Sequence, residues 1–130
     1  MVVDTSVLIA MLLREPLAPR LLTVLETSSS TRLSTASLVE AGIVTHKRLG
    51  EEGEHRLDRL LYRLSVEIVP FSREHAEIAR DAYRRFGKGR HPAGLNFGDC
   101  FSYALARALG EPLLFVGEDF SRTDITAAPY

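Results

Sequence analysis

The chain has 130 residues, of which 45% are hydrophobic and 25% charged, the balance of one globular domain with little room for a second. A single cysteine, Cys100, excludes an intrachain disulfide and fits a reducing cytosol. A formal net charge of −1 argues against holding nucleic acid by overall basicity, and no apolar run reaches the ~18 residues of a membrane span.

The elements read as follows in chain order. Met1–Asp4 is short and β-branched and runs into a helical pattern over Val7–Leu13. Asp4 ahead of that apolar run and Arg14-Glu15-Pro16 behind it do not make a secretory signal, so the fold is expected to begin with a strand at residue 1. Pro16 is placed to open a second helix, with Leu17, Leu21 and Leu25 as its stripe. Ser28–Thr31 is a loop. Leu33-Ser34 reads as a short strand, and Ser34 or Thr35 as the cap of a helix that Gly50 ends. Glu51–Leu64 carries Leu57, Leu60, Leu61 and Leu64 at helical spacing. Val66–Val69 is a strand stopped by Pro70. Ser72 caps a helix reaching Phe86, and Gly87–Gly94 is a loop. Asn96 caps a helix over Phe97–Leu109, which Gly110 ends. Leu113–Val116 has no polar residue, as in a parallel strand covered on both faces, and Ile125-Thr126 is a candidate last strand. Alternating strands and helices predict an α/β fold, a parallel sheet between helices, in one domain over 1–130.

Several carboxylates sit where a structural role does not fully account for them. Asp4 ends the first strand, where open α/β sheets gather functional groups; it also suits a helix cap. Glu40 shares a helical face with Ala36, Val39, Ile43 and Val44, so burial there requires a cation, donors or a proton. Asp99 lies in the first turn of its helix, where Asn96-x-x-Asp99 can also form a capping arrangement. Asp119 follows the last apolar strand beside Glu118, a pattern equally read as a solvated acidic turn. If the sheet brings all four together, their repulsion would be severe, and hard divalent cations with oxygen ligands would relieve it. Two such ions would change the total charge from −1 to about +3, concentrated where a phosphate must sit.

At these positions the chain resembles the PIN-domain family, in particular its VapC-type toxins. Met1-Val2-Val3-Asp4-Thr5-Ser6 is similar to the family's opening strand, and Thr35–Glu40 to its Ser/Thr-rich approach to a glutamate. Asn96–Ala106 and Leu113–Ile125 resemble its two C-terminal motifs. The likeness spans essentially the whole chain. The resemblance implies an acidic site of Asp4, Glu40, Asp99 and Asp119, with Thr5, Ser6 and Asn96 as supporting contacts. Many relatives carry Gly-Asp-Asp-Phe where this chain has Gly117-Glu118-Asp119-Phe120, which leaves Asp124 as a substitute for Asp119.

What the resemblance further implies is a cytoplasmic endoribonuclease dependent on Mg²⁺ or Mn²⁺, the toxin of a type II pair. It would act on structured RNA of the tRNA or rRNA class. It would pair with a VapB-type antitoxin and form a homodimer, possibilities that extend to a toxin–antitoxin hetero-oligomer. Two ions ~3.5–4 Å apart would bridge the scissile phosphate, with Asp4 and Asp99 on the better-held one and products ending in 5′ phosphate and 3′ hydroxyl. Arg84-Arg85, Lys88 and Arg90 flank the loop before Asn96 and are candidates to steer RNA, although cations also suit a helix C-terminus. The rival of a different class is a non-catalytic PIN-like module that binds RNA or protein. A zinc deaminase is disfavoured because one cysteine cannot supply its ligands. Cys100 as a nucleophile has no designated base, and a small core residue is the plainer reading.

Overall fold

Two β-branched residues and one carboxylate set the pattern of the whole molecule. Val2–Val3 form strand β1, and Asp4 caps helix α1 (Thr5–Leu12) by accepting from the Ser6 amide. The structure, a computed structural model, describes all residues, 1–130. The chain continues through α2 (Ala18–Thr27), β2 (Arg32–Ser34), α3 (Thr35–Arg63), β3 (Glu67–Val69), α4 (Arg73–Phe86), α5 (Phe97–Leu109) and β4 (Leu113–Leu114).

All strand pairs are parallel, in the order β3-β2-β1-β4. Parallel neighbours require crossovers, and the crossover helices cover both faces of the sheet. Side chains alternate along a strand, so adjacent residues serve different cores. Val3, Leu33 and Leu114 pack with Leu8, Leu21 and Leu57 on one face. Val2 and Leu113 pack with Ala82, Tyr103 and Leu105 of α4 and α5 on the other. The predicted α/β sandwich is therefore the observed architecture. No helix is long and apolar enough to cross a membrane.

Strand order fixes where a site can form. From β1 the chain moves to β2 and β3 on one side, then returns to β4 on the other. That reversal, beyond the carboxyl ends of β1 and β4, is where open α/β sheets usually form a ligand crevice.

Several boundaries differ from the sequence expectation. Pro16 does not open α2; Arg14 takes a left-handed φ of 54°, a turn follows, and the first helical turn contains Pro19 instead. The last core strand pairs only over Leu113–Leu114, because Phe115 turns away to pack against Phe120, ring centroids 5.1 Å apart. Ile125-Thr126 is not a full strand, but Leu113 forms a parallel bridge with Ala127 and its amide donates to Thr126 O at 2.9 Å.

Gly50 breaks its helix as expected, with φ 70° and ψ −161°. The next segment starts at once, so α3 is a kinked pair of segments. Their apposition depends on Gly53, where a methyl would meet Leu49 Cβ at 2.5 Å and Thr45 O at 2.7 Å. Gly53→Ala should therefore lower stability by ~1–3 kcal/mol through overpacking, seen as a lower urea midpoint. An unchanged midpoint would contradict so tight a contact.

Candidate active site

Asp4 leaves β1 at the crevice and is 4% exposed. Three donors hold its two oxygens. Oδ1 accepts from the Ser102 hydroxyl at 2.6 Å, while Oδ2 accepts from the Ser6 amide at 2.9 Å and its hydroxyl at 2.6 Å. Ser6 Oγ in turn accepts from the Val116 amide at 3.0 Å, which joins β1 to the loop after β4. Asp4 is thus a helix cap and a buried anion at the mouth of the crevice.

Asp99 combines two roles in the same way. Its Oδ2 accepts from the Asn96 amide, and Asn96 Oδ1 accepts from the Asp99 amide, both at 2.9 Å. This capping box leaves Oδ1 without a partner in the chain. Burial pushes the Asp99 carboxyl up to about 7; the Asn96 amide opposes this, and the charges of Asp4, Asp119 and Glu40 add to it. The same field therefore reaches Asp99 from the end of β1, from α3 and from the loop after β4.

Glu40 is half-buried on the second turn of α3. Burial raises its carboxyl above the ordinary range, the Thr5 hydroxyl opposes that, and the charge of Asp4 adds to it. The Thr5 hydroxyl also lies 3.4 Å from Ser37 O, a long contact that competes weakly for its proton. The apolar stripe expected around Glu40 is not core: Val39 and Ile43 are 62% and 51% exposed. The buried face is Ser37, Ala41 and Thr45, whose small side chains let α3 approach its neighbours closely. Burial of Glu40 comes instead from α5. A Cβ at Gly98 would lie 1.4 Å from Glu40 Oε2, so only glycine leaves room for this carboxylate.

Asp119 is exposed, on the turn after Gly117, whose φ is +102°. Buried Phe120 anchors that turn. Asp124, the alternative to Asp119, is directed elsewhere and binds Tyr103, Arg85 and Arg107. It is absent from the charges acting on Asp99.

Two contributors were missed from sequence. Ser102 lies three residues beyond Asp99 on the same helical face, which could have marked it. Gly98 gave no signal beyond its place in Asn96-x-x-Asp99. Cys100 is buried, and burial followed by the charge of Asp99 pushes its thiol up to about 11, so it stays a neutral core group. The loop before Asn96 is closed by Lys88 N–Leu95 O and Leu95 N–Phe86 O contacts of 2.9 Å. Arg84 faces Asp81 at 3.6 Å and Arg85 faces Asp124, while Lys88 and Arg90 remain exposed.

Asp4, Glu40, Asp99 and Asp119 have no lysine or arginine partner among the ion pairs, which all lie elsewhere. No three acid, histidine or cysteine side chains stand close enough to form a ready-made cage; the four are coupled through space rather than drawn into contact. All-oxygen donors, a carboxyl raised to about 7 and a free Asp99 oxygen together fit a hard divalent cation such as Mg²⁺ or Mn²⁺.

A parallel α/β sheet with four uncompensated carboxylates at its topological crevice defines the class. The chain belongs to the PIN domain family, whose profile matches residues 1–125. It is 52% identical over 125 residues to Ribonuclease VapC30 of Mycobacterium tuberculosis, covering 96% of this chain and 95% of that one. The fold is also similar to the crystal structure of M. tuberculosis VapC20, described as a Sarcin-Ricin loop cleaving toxin. That likeness has a TM-score of 0.79 and 17% identity, over 98% and 97% of the two chains. A toxin–antitoxin complex from Klebsiella pneumoniae matches with a TM-score of 0.75 and 19% identity, over 99% and 97%.

The raised Asp99 carboxyl has a consequence for stability. Folded Asp99 binds its proton up to about pH 7, whereas an unfolded aspartate releases it near ~4. Between those values the folded state holds more protons, so stability falls as pH rises, by at most ~1.4 kcal/mol per pH unit from this group. Urea unfolding of metal-free protein from pH 4 to 7 should show this slope, and Asp99→Asn should flatten it. Equal slopes in the two proteins would contradict a raised Asp99 carboxyl.

Proposed function

We propose that the chain is an endoribonuclease dependent on Mg²⁺ or Mn²⁺, the toxin of a type II toxin–antitoxin pair. The observation that carries this reading is the group of four coupled carboxylates with no cationic side chain to neutralise them. The 52% identity to Ribonuclease VapC30 supports RNA as substrate. The description of VapC20 supports structured RNA of the tRNA or rRNA class. The Klebsiella complex supports an antitoxin as partner, on this reading one of VapB type. On this reading residues 1–130 are one nuclease domain working in the cytoplasm as a homodimer, for which Val39, Ile43 and Phe97, all exposed, offer apolar surface.

Each residue has a defined task. Asp4 and Asp99 hold the better-bound ion. Asp4 is kept in one orientation by Ser6 and Ser102, and Asp99 is oriented by Asn96 through Oδ2, which leaves Oδ1 without a partner in the chain. Glu40 and Asp119 complete the site, Glu40 seated over Gly98 and steadied by Thr5. A bound divalent ion supplies positive charge to the scissile phosphate and makes an attacking water more acidic. The carboxylates give that charge a fixed place, so an in-line attack meets a prepared electrostatic environment. Lys88 and Arg90 lie exposed beyond the crevice and attract the RNA backbone at long range.

Asp4→Asn and Asp99→Asn should each reduce RNA cleavage at least a hundredfold while keeping the far-ultraviolet circular dichroism of the parent. Asn at either position still accepts hydrogen bonds from the capping donors. Full cleavage by both variants would refute the assignment. Absence of divalent binding by the parent in calorimetry would favour a non-catalytic PIN-like binding module instead.

A further inference from the structure

Asp124 lies outside the acid cluster, yet three side chains from two helices converge on it. Its Oδ1 accepts from the Tyr103 hydroxyl at 2.6 Å. Its Oδ2 accepts from Arg85 of α4 at 2.9 Å and lies 3.6 Å from Arg107 of α5. Arg85 is itself oriented by stacking on Phe86, 4.7 Å from the ring centroid. Burial pulls the Asp124 carboxyl upward, but the Tyr103 hydroxyl and Arg85, with the charges of Arg85 and Arg107, hold it below its ordinary value. Burial and the Asp124 contact push the Tyr103 hydroxyl up to about 12, so it remains a donor.

The positions of these residues along the chain give the contact its meaning. Tyr103 lies four residues beyond Asp99, one turn along the same helix. Asp124 lies five residues beyond Asp119, on the same loop. One hydrogen bond therefore ties the loop carrying Asp119 to the helix carrying Asp99. Elsewhere that loop is held at its start by Ser6 and Val116, in the middle by Phe120 and just past its end by the backbone pairing of Leu113 with Thr126 and Ala128. Gly117, Glu118 and Asp119 are all exposed.

We propose that the Tyr103–Asp124–Arg85 contact is a latch that fixes residues 117–124 and so sets Asp119 relative to Asp99, making Tyr103 and Asp124 positioning residues for the acid cluster. This rests on the reading of Asp119 as part of a divalent-ion site. An exposed loop without such a tie opens readily, and a misplaced ligand weakens a site that depends on preorganisation. The exposed Arg85 and Arg107 pairs alone contribute little. The Tyr103 hydroxyl contributes more, because its donor is buried and its acceptor charged.

The test compares the full-length parent with Tyr103→Phe, Asp124→Asn and their double variant, using Mn²⁺ calorimetry and amide hydrogen exchange. Tyr103→Phe keeps the buried ring but removes the donor, and Asp124→Asn removes the acceptor charge that strengthens the Tyr103 bond and that Arg85 meets. Each single variant should exchange faster at residues 117–124 with the rest of the chain protected, and should bind Mn²⁺ about tenfold more weakly. The double variant should lose no more than the worse single variant. In an Asp119→Asn background, Tyr103→Phe should cause no further loss, because the ligand it positions is already gone. Parental exchange and Mn²⁺ affinity in both single variants would overturn the latch, as would a further tenfold loss in the Asp119→Asn background. If the parent itself binds no Mn²⁺, the metal reading fails, and hydrogen exchange alone decides whether the loop is latched.

Discussion

Four like charges gather at the edge of the sheet where β1 and β4 end, and no arginine or lysine answers them. Folding against that repulsion is costly, and the structure shows how the cost is held down. Asp4 receives hydroxyl and amide donors from Ser6 and Ser102. Asp99 shares a capping box with Asn96. Glu40 has the Thr5 hydroxyl. These donors orient the oxygens but bring no positive charge, so burial, with the charges of Asp4, Asp119 and Glu40 adding to it, raises the Asp99 carboxyl to about 7. On the proposed reading, a cation completes this site.

The fold puts the charges there. Because every strand runs the same way, all carboxyl ends meet on one edge, and the order β3-β2-β1-β4 makes β1 the point where the winding direction changes. Asp4 stands at that point by following β1 directly, and Asp119 by following β4 after one glycine-led turn. Asp99 and Glu40 reach the same crevice from helices that cross the sheet. Contacts elsewhere, including the Gly53 apposition within α3, keep those helices in place.

Much of this was legible in the chain itself. Asp4, Asp99 and Asp119 stood out by their positions relative to strand ends and a helix start, where capping or a solvated turn read equally well, and the family resemblance joined them into one set; alternating elements gave the α/β sandwich. The helix over Phe97–Leu109 was predicted to the residue because Asn96 and Gly110 bound it on both sides. Glu40 was picked out for a reason that the structure does not support. Helical periodicity identifies an apolar face but not whether tertiary packing covers it, and here Val39 and Ile43 face outward while the small residues pack. Gly98 was illegible because a missing side chain leaves no pattern; its importance appears only when Glu40 occupies the space. Asp124 could not be separated from Asp119 by spacing, since its partners Tyr103 and Arg85 are remote in sequence.

The central claim is that the carboxylates act as one unit whose repulsion a divalent ion relieves. Carbon-13 NMR titration of the Asp99 carboxyl, with and without saturating Mg²⁺, measures this directly. The account predicts a midpoint near 7 in the metal-free protein, moving down by more than one pH unit when Mg²⁺ is added. A midpoint near that of an ordinary aspartate in both titrations would contradict it.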